Sequence, residues 1–350
     1  MSANNNPMGT NGYEFIEYTA EDTRALESLF KSLGFTAIAK HRSKDVVLYR
    51  QGDINFIINH EPDSFAQSFA RVHGPSICAF GIRVEDANHA YQHAINNNAK
   101  PYIGQAGPME LNLPAIRGIG DSLIYLIDRY GENSIYDVDF VPLPDAPTKP
   151  VGVGLHYIDH LTHNVHKGRM DEWASFYERI FNFKEIRYFD IKGKTTGLLS
   201  RAMTSPCGKI RIPINEPSDN KSQIQEYLDA YHGEGIQHIA LGSHDIYESV
   251  EALKANDVRL LDVPDTYYEE VNNRIPGHNE DINRLAKNRI LIDGDLETNQ
   301  GLLLQIFTET VIGPIFFEII QRKGNEGFGE GNFQALFESI EEDQRRRGVI

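Results

Sequence analysis

Three short apolar segments in the second half of the chain each carry one residue able to bind a metal. They are Ile158-Asp159-His160-Leu161-Thr162, Gly235-Ile236-Gln237-His238-Ile239-Ala240 and Ile315-Phe316-Phe317-Glu318-Ile319-Ile320. Each reads as a β-strand. An ionised carboxylate in such a run is costly to bury unless a cation or hydrogen bonds compensate. Two histidines and one carboxylate meeting at one point form the facial triad of non-haem Fe(II) oxygenases, with coordination positions left open for substrate and O2. Zinc accepts the same ligand types; the open positions favour Fe(II).

Each residue also has a plainer reading. A lone histidine on a strand is as a rule a hydrogen-bonded core side chain, and a lone glutamate sits at a solvated edge. His156, Ile158, His160 and Thr162 share one strand face, and spacing alone does not separate His160 from His156, His163 or His166 as a ligand. Glu318 is the strongest of the three because its neighbours on both sides are apolar. Ser200, Asn215, Gln223, Gln237 and Gln305 fall on or beside apolar segments and suit an oxygen-rich ligand, since buried amides need partners. By itself, Asn215-Glu216-Pro217 reads as a turn.

The elements that must position these residues come in repeated order. The chain has 350 residues, room for two domains. Val141-Pro142-Leu143-Pro144-Asp145-Ala146-Pro147-Thr148-Lys149-Pro150 holds four prolines, which fix extended backbone. We read residues 141–152 as a linker between an N-terminal domain, 12–140, and a C-terminal domain, 153–350. Strand Tyr13–Tyr18 and helix Ala20–Leu33 match strand Leu155–Asn164 and helix Met170–Phe181. Ile77–Val84 with helix Ala87–Asn97 matches Ile236–Gly242 with helix Ile246–Ala255, and Asp121–Tyr130 matches Gly313–Lys323. The pattern predicts an α+β fold of two tandem domains, each of paired βαβββ modules curling into a half-open barrel. In this alignment Ala79 stands for His238 and Tyr125 for Glu318, and the strand of Glu17 has no counterpart of His160. The first domain is therefore expected to serve structure or assembly.

Composition narrows the partners. A formal net charge of -16 argues against nucleic acid or an anionic membrane. A small anionic substrate is still allowed, because a bound metal dominates its local field. Cys78 and Cys207 are too few for a disulfide framework. The polar start of the chain has no secretory signal pattern, and no run approaches the length of a membrane span. A cytoplasmic protein is expected.

Near the C-terminus, Gly324-Asn325-Glu326-Gly327-Phe328-Gly329-Glu330-Gly331 reads as a flexible glycine-rich stretch without dinucleotide spacing. A helix from Asn332 to about Arg346 follows. Asn332 can cap it, Phe333, Leu336, Phe337 and Ile340 form its apolar stripe, and Arg345, Arg346 and Arg347 suit its C-terminal end. The pair suggests a lid over an aromatic substrate. A docked terminal helix has the same pattern.

Taken together these residues resemble the 4-hydroxyphenylpyruvate dioxygenase family of the vicinal-oxygen-chelate superfamily, in its compact bacterial form. The resemblance lies in Ile158-Asp159-His160, Pro213-Ile214-Asn215-Glu216-Pro217, Lys221-Ser222-Gln223-Ile224-Gln225-Glu226-Tyr227, Gln237-His238-Ile239-Ala240, Leu303-Leu304-Gln305-Ile306-Phe307-Thr308 and the run from Phe317-Glu318 to Asn332-Phe333. It implies one Fe(II) per subunit on His160, His238 and Glu318. It implies catalytic roles for Ser200, Asn215, Gln223, Gln237 and Gln305. It places Pro213, Phe307, Phe316, Phe328, Asn332, Phe333 and Phe337 around the substrate, with Phe328 and Phe333 in the lid. The implied reaction converts 4-hydroxyphenylpyruvate and O2 to homogentisate and CO2 in tyrosine and phenylalanine catabolism. A homodimer or homotetramer is implied as well. Two alternatives accompany this reading. One is 4-hydroxymandelate synthase, which shares metal and substrate. The other is a non-catalytic or haemolysin-type relative. Pro213, Asn215 and Phe337 match the dioxygenase pattern rather than the synthase.

Overall fold

The strand, helix and three-strand unit read from the sequence occurs four times. The computed structural model describes residues 5–192, 197–333 and 335. In the first half the order is β1 (Tyr13–Thr19), α1 (Arg24–Ser32), β2 (Thr36–His41), β3 (Val46–Gln51), β4 (Ile54–Asn59), α2 (Phe65–His73), β5 (Ser76–Arg83), α3 (Ala87–Asn96), β6 (Pro101–Tyr102), β7 (Ala115–Arg117), β8 (Leu123–Ile127), α4 (Ile135–Asp139) and β9 (Phe140–Pro142). The second half holds β10 (Leu155–Asn164), α5 (Met170–Phe181), β11 (Lys184–Lys192), β12 (Gly197–Thr204), β13 (Arg211–Pro217), α6 (Gln223–Tyr231), β14 (Gly235–Ser243) and α7 (Ile246–Ala255). Three short helices follow, α8 (Asp265–Glu269), α9 (Val271–Arg274) and α10 (Ile282–Asn288), and then β15 (Leu291–Asp295), β16 (Gly301–Phe307) and β17 (Phe316–Lys323).

Each half forms one sheet, with the order β6-β7-β8-β5-β1-β4-β3-β2-β9 in the first and β11-β12-β13-β10-β14-β17-β16-β15 in the second. In every module the first strand pairs in parallel with the last, and the two modules of a half meet through antiparallel first strands. The registers make the halves comparable residue by residue. Phe15, Gly81 and Tyr125 lie side by side in the first sheet. His160, Ala240 and Glu318 lie side by side in the second. Tyr125 thus stands where Glu318 does, Ala79 stands where His238 does, and the counterpart of His160 is Phe15.

The helix-bearing faces of both sheets merge into one core. Phe30 of α1 meets Tyr18 and Phe56 at ring distances of 4.9 and 5.1 Å, and Phe56 stacks on Phe317 of the second sheet at 6.0 Å. Truncating one such buried ring costs about 3–5 kcal/mol. Helix α5 buries Met170, Ala174, Tyr177, Ile180 and Phe181, a single apolar stripe, and ends on Asn182 in the left-handed region. The opposite face of the first sheet is partly covered by α4, beside a cavity of about 160 Å³ lined in part by Phe15, Glu17 and Tyr125. Ile135 and Tyr136 of α4 pack there with Phe15, Val46, Leu48, Ile57 and Ile127. Cys78 and Cys207 are both free thiols. No helix among the described residues is long and apolar enough to cross a membrane.

Three boundaries differ from the sequence reading. Helix α1 starts at Arg24, not Ala20, because the Asp22 carboxylate accepts the Arg24 N–H at 3.1 Å and turns the chain first. Val141 and Pro142 belong to the edge strand β9, where a proline costs no ladder hydrogen bond. Residues 330–333 and 335 are helical, so the terminal helix begins before Asn332, which does not cap it. Leu336, Phe337, Ile340 and Arg345 to Arg347 lie outside the described residues.

His163 on β10 gives the fold an acid sensitivity. Burial pushes its pKa down to about 3, and its Nε2 lies 2.7 Å from the Tyr177 hydroxyl. Below the ordinary imidazole value of about 6.5 the unfolded chain binds a proton that the folded one refuses, so stability falls as the pH drops from there toward 3. In urea unfolding at pH 7.5 and 5.5, the His163→Gln variant should lose about 1.4 kcal/mol less than the parent over that interval. Equal losses would remove His163 from the acid response.

Candidate metal centre

Strands β10, β14 and β17 are neighbours in the middle of the second sheet, and each turns one of the three candidate ligands onto the same concave face. One ligand atom from each of His160, His238 and Glu318 lies within 4.8 Å of the others. Glu318 Oε2 is 3.2 Å from His160 Nε2 and 3.3 Å from His238 Nε2. Glu318 and His160 are each 2% exposed. The side chain of His238 keeps 11% of its surface open.

Both imidazoles are held by their outer nitrogens. His160 Nδ1–H donates to Asp159 Oδ1 at 2.8 Å, and His238 Nδ1–H donates to Gln237 Oε1 at 3.0 Å. Fixing that tautomer turns each Nε2 toward Glu318, the arrangement by which proteins orient metal-binding histidines. Thr162 Oγ1 also approaches His238 Nε2, at 3.0 Å. Gln305 Nε2 donates to Glu318 Oε1 at 3.1 Å, while Gln305 Oε1 accepts from Asn332 Nδ2 at 2.8 Å. Asn332 Oδ1 in turn accepts from the Tyr267 hydroxyl at 2.6 Å, and that hydroxyl accepts from Arg274 at 2.7 Å. Gly329, at φ +79°, passes so close that a Cβ there would fall 1.6 Å from Gln305 Oε1.

Charge is balanced locally. Burial raises the Glu318 pKa, but the two histidines outweigh it and hold the carboxyl down at about 2. Burial lowers that of His160, and Glu318 with Asp159 more than reverses it. His238 is lowered, chiefly by burial. The group therefore offers an ionised carboxylate and two imidazoles to one small cation. Among the described residues it is the one cluster of metal-ligand type. Among the described residues it gains no fourth protein ligand of His, Cys, Asp or Glu type. That donor set fits a catalytic metal with open positions.

A cavity of about 70 Å³ opens on this face, lined in part by His160, His238, Glu318, Gln305, Ser200, Pro213 and Asn215. Phe307, Phe328 and Phe333 line it as well. Phe316 stacks on His238 at 4.8 Å, and Phe328 meets the His160 ring edge-on at 5.3 Å. Ser200 and Asn215 face each other across β12 and β13. Gln237 does not line the cavity but holds His238. Gln223 is not brought to the site: Ile224, Tyr227, Leu228 and Tyr231 take the buried side of α6 and leave it exposed. Phe337 lies outside the described residues.

The N-terminal half, residues 4–141, matches the family profile described as hydroxyphenylpyruvate dioxygenase, HPPD, N-terminal, and residues 157–273 match that of the glyoxalase, bleomycin resistance protein and dioxygenase superfamily. The chain is 59% identical to the 4-hydroxyphenylpyruvate dioxygenase of Pseudomonas aeruginosa, over 99% of this chain and 97% of that protein. It belongs to the 4-hydroxyphenylpyruvate dioxygenase family. It is also 62% identical, over 99% of this chain and 98% of the other, to a Vibrio vulnificus protein named Hemolysin VllY. A solved variant of 4-hydroxymandelate synthase from Streptomyces coelicolor is 25% identical, with a TM-score of 0.81 over 96% of this chain and 100% of that one.

Sequence reasoning missed several residues that stand behind the ligands in this structure. Asp159 is a carboxylate in an apolar strand, the same signal that singled out Glu318, but it stood beside a histidine and was passed over. Tyr267 and Arg274 lie on α8 and α9, in a stretch without readable periodicity. Arg322 had no signal until the fold placed it against Asp159.

Replacing Gln305 by Ala removes the donor to Glu318 Oε1. Loss of such an outer partner typically weakens metal binding 10–100-fold. Calorimetric titration of the metal-free Gln305→Ala variant with Co(II) should show a drop of about tenfold or more. Parent-like affinity would mean that Glu318 needs no orienting partner.

Proposed function

We propose that this protein is an Fe(II)-dependent dioxygenase that converts 4-hydroxyphenylpyruvate and O2 to homogentisate and CO2. The observation that carries the reading is the buried His160, His238 and Glu318 cluster facing an aromatic-walled cavity, in a chain of this family. Bound Fe(II) supplies chelation of the 2-oxo acid and activation of O2.

The chain's own part is binding, orientation and exclusion of water. Glu318 neutralises one of the two charges of the metal and leaves a site still attractive to an anionic carboxylate. Gln237 and Asp159 hold the histidine tautomers, and Gln305 holds the carboxylate. Phe307, Phe328 and Phe333 flank the ring of the substrate and keep water from it, and Phe316 backs His238 instead of lining the cavity. Ser200 and Asn215, paired on adjacent strands, take its polar end, with Pro213 closing that side.

We further infer a cytoplasmic homodimer or homotetramer assembled through the first half, which holds no candidate ligand at the positions of Phe15, Ala79 and Tyr125. Exposed Ile103 and Met109 on that half support an assembly surface. The synthase reading is the weaker one, with 25% identity against 59% for the dioxygenase relative.

The test is anaerobic loading with Fe(II), addition of 4-hydroxyphenylpyruvate and O2, and chromatography of the products. Homogentisate with equal CO2 is expected; 4-hydroxymandelate would select the synthase instead. Glu318→Ala should abolish turnover and weaken metal binding while unfolding stays cooperative, and parent-like activity would overturn the ligand assignment. Asn215→Ile should divert product toward 4-hydroxymandelate or uncouple hydroxylation from O2 use. An unchanged rate and product ratio would exclude Asn215.

A further inference from the structure

The second buried carboxylate of the site, Asp159, is 0% exposed and does more than hold His160. Arg322 grips it with two prongs, Nε to Oδ2 at 2.7 Å and Nη2 to Oδ1 at 2.8 Å. The Tyr157 hydroxyl adds a bond to Oδ2 at 3.2 Å. The remaining prong of Arg322 points the other way. Nη1 donates to the carbonyls of Asn325 and Gly327 at 2.9 and 2.7 Å. Those carbonyls belong to the segment that carries Phe328 over the cavity. The Arg322 guanidinium also lies 5.7 Å from the Phe328 ring, whose other contact is the edge of His160 at 5.3 Å.

We propose that Arg322 is a positioning residue that couples the orientation of His160 to the seating of residues 325–328 over the cavity, through its ion pair with Asp159. Arg322 spends every face of its planar fork, two donors on the carboxylate and one nitrogen on the segment. When the segment lifts, Nη1 loses both acceptors, and the fork no longer has its fixed angle on Asp159. The Asp159 carboxylate that aims His160 Nε2 is then less firmly set, with the Tyr157 hydroxyl as its remaining fixed partner on Oδ2. The coupling runs in reverse as well, since linked equilibria are reciprocal. A cation on His160 Nε2 draws electrons from the ring and strengthens the Nδ1–H bond to Asp159. That draws the fork home and seats the segment.

The cavity gives this coupling a use. The cavity of about 70 Å³ holds on the order of five waters, and Phe328 is part of its wall. Seated there, Phe328 covers the edge of the site beside His160 and keeps water from it. Tying that wall to His160 makes the seated segment and the aimed ligand one state. The inference rests on the metal-centre reading, so the experiment separates the two.

The experiment uses the full chain, metal-free and loaded with Co(II). Hydrogen exchange reads residues 325–333, calorimetry reads Co(II) affinity, and the visible Co(II) spectrum reads ligand geometry. In the parent, Co(II) should slow exchange of the segment about tenfold. Arg322→Lys keeps the charge but loses the fork. It should weaken Co(II) binding about tenfold, by analogy with other outer-partner losses, shift the Co(II) spectrum and abolish the slowing. Failure of Co(II) to bind the parent would overturn the metal-centre reading itself. Binding without any slowing in the parent, a comparison that needs no variant, would overturn the coupling alone. So would an Arg322→Lys protein that binds Co(II) and protects the segment as the parent does.

Discussion

The carboxylate of Glu318 is ionised and almost wholly buried, and taking such a group out of water costs several kcal/mol unless partners answer it. Much of the polar interior of the second half-barrel is that answer. Gln305 takes one oxygen, and the two histidines face the other. Behind them stand Asn332, Tyr267 and Arg274 on one side and Asp159 with Arg322 on the other. Asp159 is paired with Arg322, which leaves the Glu318 carboxylate as one negative charge at the ligand cluster itself. A divalent cation turns that to one positive charge, and a monoanionic 2-oxo acid brings it to neutrality. The charge at the cluster therefore closes when a cation and an anionic ligand are both bound.

The first half shows what the same scaffold does without that constraint. Phe15, Ala79 and Tyr125 occupy the three ligand positions, and Ile135 and Tyr136 of α4 pack against part of the concave face. At those three positions its burial is apolar and stabilising, and its buried carboxylates lie elsewhere, Glu14 on Arg83 and Glu17 on Asn59. The halves are not independent in this. Phe56 stacks on Phe317, the residue before Glu318, and the Tyr13 hydroxyl donates to the Arg211 carbonyl on β13 at 2.8 Å. The ordinary core of the first half therefore backs the strand that carries the carboxylate.

How much of this was legible follows from where the signal lives. The repeat was readable because each module begins with an apolar strand and an amphipathic helix, and β10, α5 and α7 fall where the pattern puts them. The ligands were readable because polar residues in apolar runs break the pattern. Asp159 broke it equally and went unread, since its neighbour supplied a sufficient reason for the strand. Gln223 was carried by its local string, although the phase of Ile224, Tyr227, Leu228 and Tyr231 already placed it outward. The partners of Asn332 were beyond reach, because α8 and α9 are too short for their periodicity to show.

The glycine-rich segment is the sharpest case of a pattern with the opposite meaning. Composition suggests looseness, yet these glycines let the backbone lie where a side chain would collide. A Cβ on Gly329 would strike Gln305, and one on Gly331 would fall 2.3 Å from Asp293 Oδ1. The segment is also tied by Arg322 to two of its carbonyls and by Asp293 to the Gly331 N–H at 2.9 Å. Fitted backbone of this kind does not sway; it is seated or it is released. Release of this segment therefore means breaking a few specific polar contacts together, and those contacts run straight to the residues that hold His160 and Glu318.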